Sequence, residues 1–226
     1  QFNGVVIKLS NNFNNISLLN DEIIIAGSAA SDKSLSEFAM KNSLGGFEFL
    51  SCIPGTVGGG IRMNAGCFDS EFKDILVSIQ AIDKYGKVIT IPEKEINFKY
   101  RGSSLSEDLI FLSASFKGFK KNKNLIQNEI RILKEKKEKS QPTRIKTSGS
   151  TFKNPKNEYA AKLIEKSGCK GLKVGDALVS EKHANFLINS NNASASQIEE
   201  LGKRIIDKVY KKFNIVLEWE IKILGN

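Results

Sequence analysis

The chain has few of the side chains that most often hold metal ions or carry out hydrolysis. His183 is its one histidine, which excludes a three-histidine metal site and disfavours a Cys/His zinc site. A Ser/His/Asp hydrolase would have to use His183, but the chain contains no G-x-S-x-G nucleophile elbow. A lone histidine at the start of a predicted strand is more often structural, and we interpret His183 in that way. The sequence therefore predicts neither a metal site nor a hydrolase.

Cysteine and long apolar runs are also scarce. The three cysteines, Cys52, Cys67 and Cys169, are odd in number and form no C-x-x-C pair. This pattern is typical of reduced cytosolic thiols rather than of a disulfide framework. The longest apolar runs, such as residues 22–26, are far too short to cross a bilayer, and no secretory signal opens the chain. We therefore expect a cytoplasmic protein that does not bind a membrane.

Positive charge, in contrast, is abundant. The formal net charge is +9, which suits an anionic partner such as a nucleic acid, a membrane surface or a phosphate-bearing small molecule. Much of the excess lies between residues 117 and 139, where charges of both signs alternate as on an exposed helix. We favour this solvated helix over a binding surface because the run at residues 134–139 has no aromatic side chains.

Short strands dominate the predicted first half of the chain. Strand patterns lie at residues 5–9, 22–26, 77–82, 87–91 and 109–115, with a short helix at residues 34–40. The segment around residues 83–86 predicts a hairpin in which Gly86 takes a positive φ. A strand needs neighbours, so the strand pattern directly after Gln1 leads us to expect further sequence upstream.

The second half mixes longer helices with strands. An amphipathic helix is predicted at residues 124–137, and Gln141-Pro142 marks its end and a domain boundary. Beyond it we predict helices at residues 157–166 and 196–213, and strands at residues 184–188 and 215–224. Gly168 ends the first of these helices, and Ser196 caps the second with Glu199 in a capping box. The predicted fold is α+β, in two parts that cover residues 1–141 and 142–226.

Two segments carry chemistry. Residues 53–60 are rich in glycine, which lets backbone N–H groups close on an anion such as a phosphate. Their G-x-x-G-G-G spacing matches neither the dinucleotide fingerprint nor a Walker A loop, and a tight turn explains them equally well. Residues 148–155 offer a hydroxyl, an ammonium and an amide within a short turn. One segment suits a cofactor and the other a substrate, which predicts an enzyme.

Residues 48–60, followed by residues 63–66, resemble the flavin-binding sequence of the UDP-N-acetylenolpyruvoylglucosamine reductase family. Further matches occur in the same order along the whole chain, at residues 98–103, 148–155, 160–165, 180–186 and 217–221. The resemblance implies bound FAD, NADPH as co-substrate, a UDP-sugar substrate and a role in bacterial peptidoglycan synthesis. It also implies a monomer that binds no nucleic acid.

The resemblance further implies a domain for each ligand. Residues 1–141 are expected to form a vanillyl-alcohol-oxidase-like FAD-binding domain, incomplete at its N-terminus because the family's first Gly-Ser-Asn loop has no counterpart here. Residues 142–226 are expected to form a C-terminal α+β substrate-binding domain. Arg101 and Ser150 are separated by 48 residues, too few for the tyrosine-bearing insertion of some members, so we expect the subtype without that loop.

The site residues follow by matching motifs. The residues expected to bind FAD are Ile53, Pro54, Gly55, Thr56, Val57, Gly58, Gly59, Gly60, Asn64, Ala65 and Gly66. The expected catalytic residues are Arg101, which stabilises an enediolate-like intermediate, Ser150, the proton donor, and Glu220, which assists Arg101. Tyr100, Lys153 and Asn154 are expected to contact the substrate.

Each catalytic residue also has a plainer interpretation. Without the resemblance, Arg101 is a surface or structural arginine and Ser150 a turn serine. Glu220 alternates with apolar residues in the predicted last strand, and so does Glu218, so alternation alone cannot separate the two. Two other functions stay open: a flavin oxidoreductase with a different substrate, and a basic nucleic-acid-binding protein. The second lacks any recognition-helix or RNP-like pattern.

Overall fold

The computed structural model describes residues 3–143 and 145–225. The chain divides into two compact units. The first is Val5–Lys137; the second runs from Glu138 to the end of the described chain and includes residues 3–4. Each unit has its own hydrophobic core, so each is described by itself.

The first unit combines a small antiparallel sheet with short helices. Its strands are β1 (Ile16–Leu18), β2 (Ile23–Gly27), β3 (Leu44–Gly45), β4 (Gly66–Cys67), β5 (Ser70–Glu71), β6 (Leu76–Ile82), β7 (Val88–Pro92), β8 (Phe98–Lys99), β9 (Gly102–Ser103), β10 (Ile110–Lys117) and β11 (Phe119–Lys120). Its α-helices are α1 (Asp32–Lys41), α2 (Val57–Arg62) and most of α3 (Lys123–Ser140), and its 3₁₀-helices are Asn11–Phe13, Glu48–Cys52, Phe72–Asp74 and Glu93–Glu95.

The main sheet of this unit has the strand order β1-β2-β10-β6-β7, with antiparallel pairing throughout. Buried and exposed residues mix along β6 and β10 because one face of the sheet covers the core. The hairpin between β6 and β7 is confirmed: Gly86 has a φ of 82°, and the Asp83 carboxylate accepts hydrogen bonds from the amides of Tyr85 and Lys87. The core is rich in phenylalanine, with Phe72 edge-on to Phe116 at 6.0 Å.

The second unit packs two helices on a four-stranded sheet. Its strands are β12 (Thr147–Ser150), β13 (Lys173–Val174), β14 (Ala177–Val179) and β15 (Phe186–Asn189), and its helices are α4 (Ala160–Lys166) and α5 (Ala195–Phe213). The sheet order is β12-β15-β14-β13. Leu201, Ile205 and Val209 recur at helical spacing on α5 and are fully buried in this core. The predicted α+β content is therefore confirmed.

Two predicted strands are wrong, and both lie near the ends of the chain. Residues 5–9 form no strand, and Val5 and Val6 are 86% and 79% exposed. Residues 215–224 are irregular except for one bridge between Trp219 and Phe152. Apolar alternation indicates an extended chain, but a strand also requires a neighbouring strand to bond with, and neither segment has a described ladder.

The start of α5 also differs from the prediction. Its cap is Ser194, whose hydroxyl accepts a hydrogen bond from the amide of Gln197 while the Gln197 side chain accepts one from the amide of Ser194. Ser196 and Glu199 have the same capping-box spacing. Capping by Ser194 rather than Ser196 adds Ala195, a strong helix former, to the helix, which favours the earlier start.

Gly202 on α5 lets Trp219 pack closely. A Cβ atom at Gly202 would lie 1.9 Å from the Trp219 ring, which itself stacks on Phe152 at 4.9 Å between ring centroids. We expect Gly202→Ala to lower the free energy of unfolding by about 1–3 kcal/mol through overpacking. Fluorescence of this chain's single tryptophan, followed through urea unfolding, measures both the shift and the ring's displacement. Gly102→Ala, where a Cβ would meet nothing within 4 Å, is the control; equal losses in both variants would contradict the packing argument.

Candidate active site

The glycine-rich segment forms the start of a short helix. The Thr56 hydroxyl caps α2 by accepting from the amide of Gly59. The amide of Val57 donates to the Ala30 carbonyl, and that of Gly58 donates to the Ser28 carbonyl at 2.8 Å. The amides that the sequence predicted to close on an anion are thus largely bonded within the protein.

Packing requires one of the glycines and leaves little room at another. A Cβ atom at Gly60 would lie 2.2 Å from the buried ring of Phe72, which is too short for any side chain. A Cβ atom at Gly58 would lie 3.0 Å from the Ser28 side chain, a tight contact that Ser28 would have to relieve. The absence of side chains here therefore brings α2 against the core.

The other part of the segment is open. Residues 54–56 and Gly59 are exposed, and a Cβ atom at Gly59 would meet nothing closer than the Thr56 hydroxyl, at 3.6 Å. An exposed backbone without side chains allows a large planar or phosphate-bearing ligand to approach closely. The residues fit a dinucleotide such as FAD at residues 54–56 and Gly59 rather than along the whole run.

The loop after β2 is a part of the site that sequence reasoning missed. Its Ser28 is buried, donates through its hydroxyl to the Phe111 carbonyl at 2.6 Å, and accepts from the Gly58 amide. It therefore ties the glycine-rich segment to β10. The run of small residues 26–31 directly after an apolar strand was the available signal.

Asn64 organises the segment behind α2. It is fully buried and has a φ of 41°. Its side-chain amide donates to the Glu71 carboxylate at 2.9 Å and to the Lys99 carbonyl at 3.3 Å, and its side-chain oxygen accepts from the Lys73 amide at 3.1 Å. The carboxamide thus joins three segments, which supports a positioning role for this predicted FAD-binding residue.

Arg101 occupies the second position of the tight turn between β8 and β9. Its φ of 55° lies in the left-handed region, which costs a non-glycine residue on the order of 1 kcal/mol. The guanidinium donates to the Gly66 carbonyl at 3.0 Å and lies over the Tyr100 ring, 4.9 Å from its centroid. The turn therefore holds a permanent positive charge beside Gly66, another predicted FAD-binding residue.

In the second unit, Ser150 ends β12 at a bulge. The pairing of β12 with β15 shifts register between Thr147 and Ser150, and Gly149 has a φ of 88°. The backbone beyond is held by buried Asn185, whose side chain both accepts from the Phe152 amide and donates to its carbonyl. Bulges re-aim side chains, and this one sets the direction of the Ser150 hydroxyl.

Glu220 lies beside this segment. The chain at residues 218–220 runs antiparallel to residues 151–153, with the Glu220 amide donating to the Thr151 carbonyl at 2.8 Å. Glu220 is half-buried, whereas the Glu218 side chain is 75% exposed and lies 3.4 Å from the Lys153 ammonium. The geometry supports the choice of Glu220 over Glu218, which alternation could not make.

The remaining polar candidates lie nearby. Asn154 is exposed, and its side-chain oxygen accepts from the Ala160 amide at the start of α4. His183 packs edge-on to Phe186 at 4.8 Å, and burial lowers the pKa of its imidazole. This environment supports the structural interpretation of His183. Ser150, Lys153, Asn154 and Glu220 therefore gather in the second unit, and Arg101 lies with the glycine-rich segment in the first.

Within residues 3–143 and 145–225, no group of three or more His, Cys, Asp or Glu side chains could hold a metal ion. None of the described helices is both long and apolar enough to span a bilayer.

Comparison with known proteins first gives the class. The FAD binding domain model matches residues 1–92, and the UDP-N-acetylenolpyruvoylglucosamine reductase C-terminal domain model matches residues 141–224. This is a flavoprotein with a FAD-binding domain followed by a C-terminal domain, as predicted.

The relatives then give the family. The chain is 60% identical to UDP-N-acetylenolpyruvoylglucosamine reductase of Pelagibacter ubique over 99% of its own length and 75% of that protein. It is 46% identical to the reductase of Rickettsia bellii strain RML369-C over 98% of its length and 74% of that protein. The crystal structure of the Thermus caldophilus reductase aligns with a TM-score of 0.86 at 31% identity, over 96% of this chain and 77% of that one. The chain belongs to the UDP-N-acetylenolpyruvoylglucosamine reductase family.

Proposed function

We propose that this chain reduces the enolpyruvyl group of UDP-N-acetylglucosamine enolpyruvate to give UDP-N-acetylmuramate, with NADPH as reductant and FAD as bound cofactor. The observation that carries the proposal is the 60% identity to a reductase along nearly the whole chain. Glu220 bonds to Thr151, the residue next to Ser150, in a unit that matches the reductase C-terminal domain, and this supports the proposal. The product is a peptidoglycan precursor, and we propose that the protein acts as a monomer in the bacterial cytoplasm.

FAD, when bound, supplies the hydride chemistry between NADPH and the enolpyruvyl double bond. The exposed backbone at residues 54–56 and Gly59 would hold it, together with the segment at Ala65 and Gly66 that Asn64 fixes in place. In this arrangement α2 and the loop after β2 form a rigid support, because the Gly58 amide is bonded to Ser28. The protein contributes orientation and electrostatics.

Arg101 has the role of charge stabilisation. Hydride addition to the double bond leaves negative charge that spreads into the substrate carboxylate, and such charge needs preorganised donors. The guanidinium is always charged, and its position is set by the turn and by the Gly66 carbonyl. Holding a fork-shaped donor in place before the reaction avoids the cost of reorganising it during the reaction.

Ser150 has the role of proton donor to the carbon next to the one that receives hydride. A hydroxyl is a weak acid at neutral pH, so the basicity of the intermediate or a proton relay must assist it. One hydride and one proton together complete the reduction. Lys153 and Asn154 lie three and four residues further along and would contact the diphosphate end of the substrate; Tyr100 would contact the substrate from the Arg101 turn.

The two acidic residues near the C-terminus give a matched test of Glu220. We expect Glu220→Gln to slow reoxidation of the reduced flavin by substrate by roughly 10²-fold, as for the loss of one group that assists a transition state. Glu218→Gln should change it by less than about fivefold, since an exposed ion pair such as that with Lys153 contributes about 0–1 kcal/mol. Stopped-flow absorbance measures both rates. The reverse order of the two variants would place the functional acid at Glu218.

Product analysis tests the proposed reaction. Purified protein supplied with FAD and NADPH should convert UDP-N-acetylglucosamine enolpyruvate into a product heavier by two hydrogen atoms, as measured by mass spectrometry. UDP-N-acetylglucosamine, which lacks the enolpyruvyl group, is the control and should be unchanged. NADPH oxidation without that product would indicate a flavin oxidoreductase with another substrate. Salt-sensitive binding of DNA or RNA without any flavin would indicate the basic binding protein instead.

A further inference from the structure

Two cysteines that lie far apart in the sequence meet in the first unit. Cys52 ends the 3₁₀-helix Glu48–Cys52, and Cys67 ends β4. Each thiol lies close enough to the other to shift its pKa. Cys67 donates to the Phe49 carbonyl at 3.4 Å, so its sulfur lies against the helix that Cys52 ends, and the Ser51 hydroxyl lies 3.7 Å from the Cys52 sulfur. The fold therefore places the two free thiols beside each other.

Positive charges surround the pair. Lys137 of α3 donates to the Cys52 carbonyl at 2.6 Å, and its charge and that of Lys134 act on the Cys52 thiol. Arg101 and Lys137 act on Cys67 in the same sense. The contact with Cys67, together with these charges, lowers the pKa of Cys52, and the contact with Cys52 raises the pKa of Cys67. Cys52 is thus the more readily ionised sulfur and the better nucleophile of the pair.

We propose that Cys52 and Cys67 are a redox-active dithiol that a peroxide converts into an intramolecular disulfide. The Cys52 thiolate attacks one oxygen of hydrogen peroxide, the O–O bond breaks, and the products are a sulfenic acid and hydroxide, which takes up a proton. The Cys67 sulfur then attacks the sulfenic sulfur, forms the S–S bond and expels water. In sum, two thiols lose two electrons and two protons, and one peroxide becomes two waters.

The position of this bond gives it a consequence for the site. Cys52 directly precedes residues 53–60, and Cys67 directly follows Gly66, whose carbonyl holds Arg101. A disulfide shortens the separation of the two sulfurs to about 2 Å and so moves one or both segments. If residues 53–60 and 64–66 bind FAD, as the proposed function requires, the oxidised protein binds FAD more weakly than the reduced protein.

Cys169 is the internal control. It is fully buried in the second unit, where its sulfur lies 3.8 Å from the Ser167 carbonyl. Burial raises the pKa of its thiol. Cys52 is buried as well, but its pKa is lowered whereas that of Cys169 is raised. A neutral thiol reacts slowly with peroxide, so Cys169 stays reduced while the pair is oxidised.

Peptide mapping tests the dithiol. Fully reduced protein is treated with one equivalent of hydrogen peroxide, alkylated with iodoacetamide and digested without reductant. The expected result is a peptide that links Cys52 to Cys67, with Cys169 alkylated and with full reversal by dithiothreitol. Cys52→Ser and Cys67→Ser should give no internal link, whereas Cys169→Ser should give the wild-type link. Oxidation of Cys52 to a sulfinic acid without a link, or oxidation of Cys169 at the same rate, would overturn the proposal.

A second measurement tests the coupling to FAD. Titration of FAD into the reduced and the disulfide-linked protein, followed by flavin fluorescence, should give a dissociation constant about tenfold higher for the linked form. Cys67→Ser treated with peroxide should keep the affinity of the reduced protein. Equal FAD affinities of the reduced and the disulfide-linked protein would overturn the proposed effect of the disulfide on FAD binding, but not the formation of the disulfide itself. Failure of FAD to bind even to the reduced protein would count against the proposed function, and the peptide map is read independently of it.

Discussion

Ser150→Ala is expected to slow the reoxidation of reduced flavin by substrate by about 10²–10⁴-fold, the usual contribution of a positioned proton donor. Reduction of the flavin by NADPH should stay within about twofold of wild type, because that half-reaction needs no proton from Ser150. We assign Ser150 this role because the bulge at Gly149 sets the direction of its hydroxyl and Asn185 fixes the backbone that follows. Anaerobic stopped-flow absorbance measures each half-reaction separately.

Ser148→Ala is the matched control for this variant. Ser148 lies on the same strand, within the register shift between Thr147 and Ser150, but its side chain is exposed. Its loss should leave both half-reactions near the wild-type rates. If Ser150→Ala impairs both half-reactions equally, Ser150 supports the fold or the cofactor rather than delivering a proton.

Asp32 is expected to make the stability of the folded protein fall as the pH rises. Its side chain is fully buried at the start of α1, and neither carboxylate oxygen has a hydrogen-bond partner among the described residues. Gly55 packs directly above it, since a Cβ atom there would lie 2.9 Å from a carboxylate oxygen. Burial raises the pKa of Asp32 from 3.8 to about 7.

The sign of the effect follows from that pKa. Well below pH 3.8 the carboxyl is neutral in both the folded and the unfolded state, and Asp32 does not destabilise the folded state. As the pH rises towards 7, the unfolded chain ionises first and the folded state loses relative stability. Above pH 7 the ionisation of Asp32 lowers the free energy of unfolding by about 4 kcal/mol in total. About 2.5 kcal/mol of this loss develops between pH 5 and pH 8.

Asp32→Asn should remove this dependence because the amide cannot ionise. Urea unfolding of the wild type and the variant at pH 5 and pH 8 gives the difference directly. We expect the variant to gain about 2.5 kcal/mol relative to wild type over that interval. Asp21→Asn, which alters an exposed carboxylate in the same unit, should run parallel to wild type. If the free energy of unfolding of Asp32→Asn changes between pH 5 and pH 8 by the same amount as that of wild type, Asp32 is already ionised in the folded protein at pH 5.

The sequence predicted those elements that are specified locally. The hairpin around Gly86 and the helices around residues 34–40 and 196–213 follow from turn residues, caps and helical periodicity, which act over a few positions. Val5, Val6 and the residues around Trp219 also alternate, but a ladder depends on a partner strand that local pattern does not reveal. The choice of Ser194 over Ser196 was a competition between two equivalent caps.

The motifs of the candidate site could be predicted from the sequence. Which residues within each motif serve packing and which are open to a ligand could not. The sequence could not show that Gly60 is needed for the Phe72 ring or that Gly58 packs tightly on Ser28, because both contacts are with residues distant along the chain. It likewise could not show the pairing of Cys52 with Cys67. The resemblance favours Glu220 over Glu218, and the structure adds support that alternation could not give: Lys153 pairs with Glu218, while the Glu220 amide bonds to Thr151.

An anaerobic titration shows whether the flavin passes electrons from NADPH to the enolpyruvyl substrate. The flavin absorbance of the FAD-loaded protein is recorded, bleached with one equivalent of NADPH, and followed after addition of UDP-N-acetylglucosamine enolpyruvate. We expect full bleaching and then full recovery of the oxidised spectrum. A flavin that bleaches and stays bleached would contradict the proposed substrate, and protein that retains no flavin would contradict the proposed reaction as a whole.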